Sequence, residues 1–263
     1  MIDKNRYGPW AVIAGGSEGV GAAFADELSR AGVHLVLIAR KPDPLEATAA
    51  RARAHGVEVR TLAVDLLAPD AVDRIRAATD DIEVGTLIFN AGANSYGHEF
   101  VSGDMRRFRA VITLNVDRQL ELSQHFGAGM KERRRGAIML LGSLSGYMGA
   151  EHEGIYAAAK AFSRVFAEGL WLELEPYGVD VVELVLGVTR TPAMERAGLN
   201  FDIPGLAVSE PEDVAREGLA HLTDGPVWVA GGNYRMAQKR SAFPRAELVR
   251  ATAQLMRKLL NRT

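Results

Sequence analysis

Cysteine is missing from the whole 263-residue chain. That excludes disulfides, thiolate-bound metal and a cysteine nucleophile. Long apolar runs are missing too, since no stretch approaches the roughly 18 residues a membrane-spanning helix needs. The opening residues, Met1 to Trp10, lack the apolar core of a signal peptide. Net charge is nearly absent, at −2, so nothing global points to nucleic acid or to an anionic membrane as a partner. No repeat of fixed period and no low-complexity segment occurs. These absences leave a soluble, cytoplasmic protein without a membrane span as the expectation.

What is present is an ordinary globular composition, 48% hydrophobic and 24% charged, with length enough for a large core in one domain. The apolar run Trp10 to Ala14 ends in Gly15-Gly16-Ser17-Glu18-Gly19-Val20-Gly21, and a helical pattern follows to Gly32. His34 to Ala39 then reads as a buried strand, which completes a strand–turn–helix–strand unit. The alternation continues with a helix over 45–55, a strand over 58–64 and a helix over 69–79. A strand over 86–89 and a long helical region over 104–134, with a candidate break near Val111, come next. Strands over 137–141 and 179–186 flank a helix running to about Tyr177. A helix over 211–222 and a strand over 226–230 close the pattern. Near-continuous apolar strands separated by helices predict a doubly wound, Rossmann-type α/β domain with a seven-stranded parallel sheet and helices on both faces. This unit spans residues 1–232. Residues 192–207, mixed with glycine and proline, read as a substrate lid within it. Residues 233–263 form a C-terminal extension with a basic amphipathic helix over 246–260; packing on the body and binding to a membrane surface are its two readings.

The glycine-rich turn lies where a strand hands over to a helix N-terminus, the place for a pyrophosphate. Gly15, Ser17, Glu18, Gly19, Val20 and Gly21 are its expected contacts. Plain turn chemistry explains the same glycines. An acidic residue at the end of the second strand would bind the adenosine ribose hydroxyls, but that strand ends Ile38-Ala39-Arg40-Lys41. A guanidinium there suits a 2′-phosphate, so NADP is expected over NAD, with Arg40 as the main contact. Glu18 opposes this mildly, because a carboxylate in the loop repels phosphate.

Tyr156-Ala157-Ala158-Ala159-Lys160 puts a phenol and an ammonium one helical turn apart. The positive charge is expected to favour phenolate and so to lower the tyrosine pKa.

Taken together these motifs resemble the classical short-chain dehydrogenase/reductase family. The matching stretches, in order, are Gly15-x-x-x-Gly19-x-Gly21, Asp65-Leu66, Asn90-Ala91-Gly92, Asn115, Ser143, Tyr156-x-x-x-Lys160 and Gly187-Val188-Thr189-Arg190-Thr191. They cover residues 8–232. Ala14 stands where the family usually has threonine, and Leu186 where it has proline.

The resemblance implies an oxidoreductase moving a hydride between NADP(H) and a carbonyl or alcohol. It implies Tyr156 as acid/base and Lys160 as its modulator and the nicotinamide-ribose ligand. Ser143 would donate to the substrate oxygen, and Asn115 would hold the helix and a proton-relaying water. Asp65 and Leu66 would meet adenine, with a helix N-cap as the other reading of Asp65. Asn90, Ala91 and Gly92 would line the adenosine ribose, and Gly187, Thr189 and Thr191 would hold the carboxamide. A homo-oligomer, dimer or tetramer, built through the helices over 104–134 and 154–177 is implied as well.

For the substrate pocket Ser143, Tyr147, Met148, His152, Met194, Leu199 and Phe201 are candidates, with Leu206 and Phe100 beside them. This apolar, flexible set suits a hydrophobic ketone or secondary alcohol, although core packing accounts for the same residues. No residue stands at ligand spacing to His152, so no metal site is expected. Two other readings keep the fold: a non-catalytic cofactor-binding regulator or scaffold, and an epimerase or dehydratase.

Overall fold

A computed structural model describes residues 2–251. After a short helix α1 (Lys4–Tyr7), the chain runs β1 (Trp10–Ala14), α2 (Gly19–Arg30), β2 (His34–Ala39), α3 (Pro42–Arg53), β3 (Val59–Ala63), α4 (Ala71–Ala77) and β4 (Val84–Phe89). Then come α5 (Met105–Ile112), a π-helical turn (Thr113–Asp117), α6 (Arg118–Arg133), β5 (Gly136–Ser143), a 3-10 turn (Leu144–Tyr147) and α7 (Gly154–Leu174). Next are β6 (Val179–Leu186), β7 (Val188–Thr189), α8 (Pro192–Arg196), β8 (Val208–Ser209), α9 (Pro211–Ala220), β9 (Val227–Val229) and α10 (Tyr234–Ser241).

Seven strands form one sheet in the order β3-β2-β1-β4-β5-β6-β9, with every neighbouring pair parallel. Parallel strands need crossovers, and the helices supply them on both faces. Strand alternation splits the core in two. Ala11 and Ile13 of β1 face a cluster with α2, α3 and α9. Trp10, Val12 and Ala14 face another with α4, α6 and α7. The strand order reverses between β1 and β4, and the crevice outside their C-terminal ends is where such sheets take ligands.

The expected architecture is present. The differences are local. Helix α3 begins at Pro42, ahead of the predicted 45, because Pro42 supplies a preset first-turn φ and needs no N–H partner. The long helical region is interrupted by the π turn at 113–117, just beyond Val111. The segment 192–207 is pinned at its base by a parallel pairing of β7 with β8 and opens with α8, capped by the Thr191 hydroxyl. Between Gly232 and the expected basic helix, α10 forms and packs on the 3-10 turn after β5. Of the basic helix over 246–260, residues 252 onward lie outside the described residues.

Candidate active site

The turn after β1 folds under two constraints. Asn90, at the end of β4, donates its side-chain amide to the Gly15 carbonyl at 2.8 Å, while the Asn90 and Ala91 amides donate to Ala14 at 3.0 and 2.7 Å. A side chain on Gly21 would start 2.0 Å from the Gly15 carbonyl oxygen, so only glycine lets α2 begin this close to β1. The result is a helix N-terminus held beside a bare backbone loop, with no side chain capping it. That geometry fits a dinucleotide pyrophosphate. The Ser17 carbonyl is tied down by the Thr48 hydroxyl at 3.0 Å.

Glu18 is held from across the crevice. Arg196 of α8 grips both its carboxylate oxygens, with Nη1 3.0 Å from Oε2. The Thr191 side chain lies 3.0 Å from where a Gly19 side chain would begin. The loop and the start of the 192–207 segment are therefore in contact. At the end of β2, Arg40 is exposed and makes no hydrogen bond or ion pair with the described residues. Asp65 accepts from the Leu67 amide at 3.0 Å, closing its own turn; the N-cap of α4 is Asp70. Leu66 is buried beneath. Arg118 fastens this turn to α6, donating Nε to Leu66 at 2.5 Å and Nη2 to Ala68 at 3.1 Å.

The four polar residues expected at the centre come together. Ser143 ends β5, and its hydroxyl accepts from the Ser145 amide at 3.1 Å, which starts the 3-10 turn. Tyr156 lies in the first turn of α7, with its phenol beside Ser143. Lys160, one turn on, is buried and donates to the Leu141 carbonyl at 2.7 Å. Asn115 sits mid-way in the π turn, donating to Ala93 at 3.1 Å and Val111 at 2.9 Å. A side chain at Gly92 would start 2.6 Å from Asn115 Oδ1 and 3.0 Å from Lys160 Nζ, so both groups crowd that backbone. Asn115 Oδ1 is buried with no protein partner.

One electrostatic expectation is corrected. Burial pushes the Tyr156 phenol up to about 12, opposed by the Ser143 hydroxyl beside it; Lys160 does not bring it down. The Lys160 ammonium lies 5.7 Å from the tyrosine ring centre and is directed at Leu141. Burial also lowers Lys160 itself, to about 8.

The Gly187–Thr191 stretch follows β6, with Thr189 buried in β7 and donating to Gly187 at 3.4 Å. The substrate-side candidates are more dispersed. Met148 is buried, while Met194 and Phe100 are exposed. Tyr147 packs with Leu144, Val185 and Ala237, under the Arg164 guanidinium at 4.3 Å. Phe201 lies beneath Arg190 at 4.6 Å. His152 is exposed at φ 62°, in the left-handed region. Leu199 and Leu206 are half-buried within 192–207.

Three residues escaped sequence reasoning. Arg118 and Arg196 gave no signal, because each works through a partner at least 50 residues away. Glu183 did leave one: it is an acid in the middle of the apolar run 181–186 of β6, buried at 1% exposure. Among the described residues no group of three potential metal ligands forms, and no helix is long and apolar enough to cross a membrane.

Comparison with known proteins matches residues 9–200 to the family described as short chain dehydrogenase. The 7beta-hydroxysteroid dehydrogenase of Clostridium sardiniense is 31% identical over 251 residues, 95% of this chain and 96% of that protein. A solved structure on 7beta-hydroxysteroid dehydrogenase stereoselectivity superposes with a TM-score of 0.87 at 27% identity, covering 95% of this chain and 99% of that one. A short-chain dehydrogenase from Sphingobium yanoikuyae in complex with NADPH gives a TM-score of 0.78 at 31% identity, covering 94% and 95%.

Proposed function

The chain belongs to the short-chain dehydrogenase family and is an oxidoreductase, and from that premise we propose that it interconverts a bulky apolar ketone and its secondary alcohol with NADP(H), Tyr156 being the acid/base. The observation that carries the reading is the meeting of the Tyr156 phenol with Ser143 at the C-terminal edge of the sheet, one helical turn from a buried Lys160.

A bound nicotinamide dinucleotide supplies or accepts the hydride. Every other part is done by the chain. In reduction Tyr156 gives its phenol proton to the carbonyl oxygen; in oxidation its phenolate takes the alcohol proton. Ser143 donates a hydrogen bond to the same oxygen as charge develops there. Lys160 binds the nicotinamide ribose. Its ammonium is held at the Leu141 carbonyl, so in oxidation the positive nicotinamide would be the charge that offsets the burial holding the phenol near 12. Asn115 keeps the π turn open and leaves Oδ1 free for a water beside Lys160. Gly15, Ser17, Gly19, Val20 and Gly21 hold the pyrophosphate, Asp65 and Leu66 the adenine, and Asn90, Ala91 and Gly92 its ribose. Gly187, Thr189 and Thr191 hold the carboxamide.

Arg40 is the 2′-phosphate ligand: its guanidinium is exposed, uncommitted and at the end of β2. The objection raised by Glu18 is weakened, because Arg196 already neutralises that carboxylate. The NADPH complex of the Sphingobium relative points the same way. For the substrate, the hydroxysteroid dehydrogenase relative makes a polycyclic ketone the first to try; Met148, Met194, Leu199 and Phe201 supply apolar, adaptable surface for one.

Titration with NADPH and NADH, followed by turnover on a panel of steroid, acyl and aromatic ketones, tests the reading. NADPH binding at least tenfold tighter and net NADPH oxidation on a polycyclic ketone are expected. Tighter NADH binding contradicts the cofactor assignment, and conversion without net cofactor use points to an epimerase or dehydratase.

A further inference from the structure

Glu183 is a buried acid with no assigned task. It lies mid-way along β6, 1% exposed, and neither carboxyl oxygen has a hydrogen-bond partner. A carboxyl in that position is costly unless something repays its desolvation. Polar and charged groups on two packed elements act on it. From α7 come Lys160, Ser163, Arg164 and, one turn further, Glu168; from the 3-10 turn comes Tyr147. Ser163 does not satisfy the acid, because its hydroxyl proton goes to Gln119 Oε1 at 3.0 Å.

The backbone has been shaped around this acid. A side chain on Gly142 would start 2.5 Å from Glu183 Cδ and 2.6 Å from Oε1. Lys160 donates to the carbonyl of Leu141, the residue before, at 2.7 Å. The carboxyl and the ammonium therefore flank one peptide unit, Leu141–Gly142, directly ahead of Ser143.

We propose that Glu183 is a positioning residue for Lys160: it titrates in place of the lysine, so that Lys160 stays an ammonium as the pH rises. The proposal rests on the oxidoreductase reading above. Burial lifts the Glu183 carboxyl and lowers the Lys160 ammonium, and each charge favours the other, so the two titrate as a coupled pair. At low pH the pair holds both protons. As pH rises the carboxyl gives up its proton, and a lysinium–carboxylate pair remains. Without the carboxyl the lysine itself must lose the proton, and its charge beside the phenol goes with it.

The test compares full-length wild type, Glu183→Gln and Glu183→Asp. The readout is kcat/KM for NADPH-dependent ketone reduction across about pH 6 to 10. The alkaline limb of Glu183→Gln is expected to move to lower pH by about one unit, with Glu183→Asp returning toward wild type. An active Glu183→Gln enzyme with an unmoved limb overturns the proposal, because a merely structural acid would lower stability and leave the profile in place. A wild type without turnover sinks the oxidoreductase reading instead. Infrared spectra of unliganded wild type labelled with carbon-13 glutamate need no variant to fold. A carboxylic-acid band that disappears near pH 8 is expected, and its absence at about pH 6 overturns the proposal.

Discussion

At the residue scale the account rests on a few side chains whose chemistry is set by burial. Ser143→Ala removes one oxyanion donor, and kcat is expected to fall by about 10²–10³ with cofactor binding intact, as steady-state kinetics and NADPH titration would read. Glu183 makes a stability prediction as well. Its folded pKa is raised above its unfolded value of 4.5, to about 8. The stability it contributes is fully present below 4.5 and is lost as pH rises through 8. Calorimetry should therefore find the Tm of Glu183→Gln rising relative to wild type between those values; parallel Tm curves would contradict this. Ser143 and Asn115 were legible only through the family resemblance. Tyr156 and Lys160 were legible from type and spacing, because a helix turn fixes where such residues point. Their pKa values were not. Spacing brings an ammonium near a phenol, but it cannot show that the ammonium is turned to Leu141 or that burial outweighs it.

At the element scale, loops and helix starts do the positioning. Gly21→Ala would place a methyl 2.0 Å from the Gly15 carbonyl oxygen, forcing α2 away from β1. Loss of NADPH binding by at least tenfold, with a lowered Tm, is the expected outcome in isothermal titration and thermal melts. The latch between Glu18 and Arg196 joins the turn to α8. Arg196→Ala frees the carboxylate and should lower the NADPH-over-NADH preference several-fold, an effect that weakens with added salt. Strand and helix order was readable from apolar runs and glycine turns. A break near Val111 was read, but not its π form, because the sequence from Thr113 to Asp117 has no breaker. Nor was α10, whose polar surface and few apolar residues gave little periodicity; its packing on Leu144–Tyr147 decides it.

At the scale of the whole molecule, the parallel sheet brings β1, β4 and β5 side by side, so that one crevice receives the glycine turn, Asn90 and Ser143 together. The outer side of α7 carries exposed Phe162, Val165 and Leu172 at helical spacing, with Ile112 exposed on neighbouring α5. Such an apolar stripe suits burial against a second copy of the chain. Light scattering of the wild type is expected to give a dimer or tetramer, and Val165→Glu with Leu172→Glu to shift it toward monomer. A monomeric wild type would contradict the oligomer expectation.

The central claim is that the Tyr156 phenol moves the proton that accompanies hydride transfer. It is tested most directly by NADPH oxidation on a polycyclic ketone by wild type and by Tyr156→Phe, each with its NADPH affinity measured alongside. The account predicts unchanged NADPH binding and a loss of turnover of about 10²–10⁴-fold. Turnover by Tyr156→Phe within tenfold of wild type would contradict it.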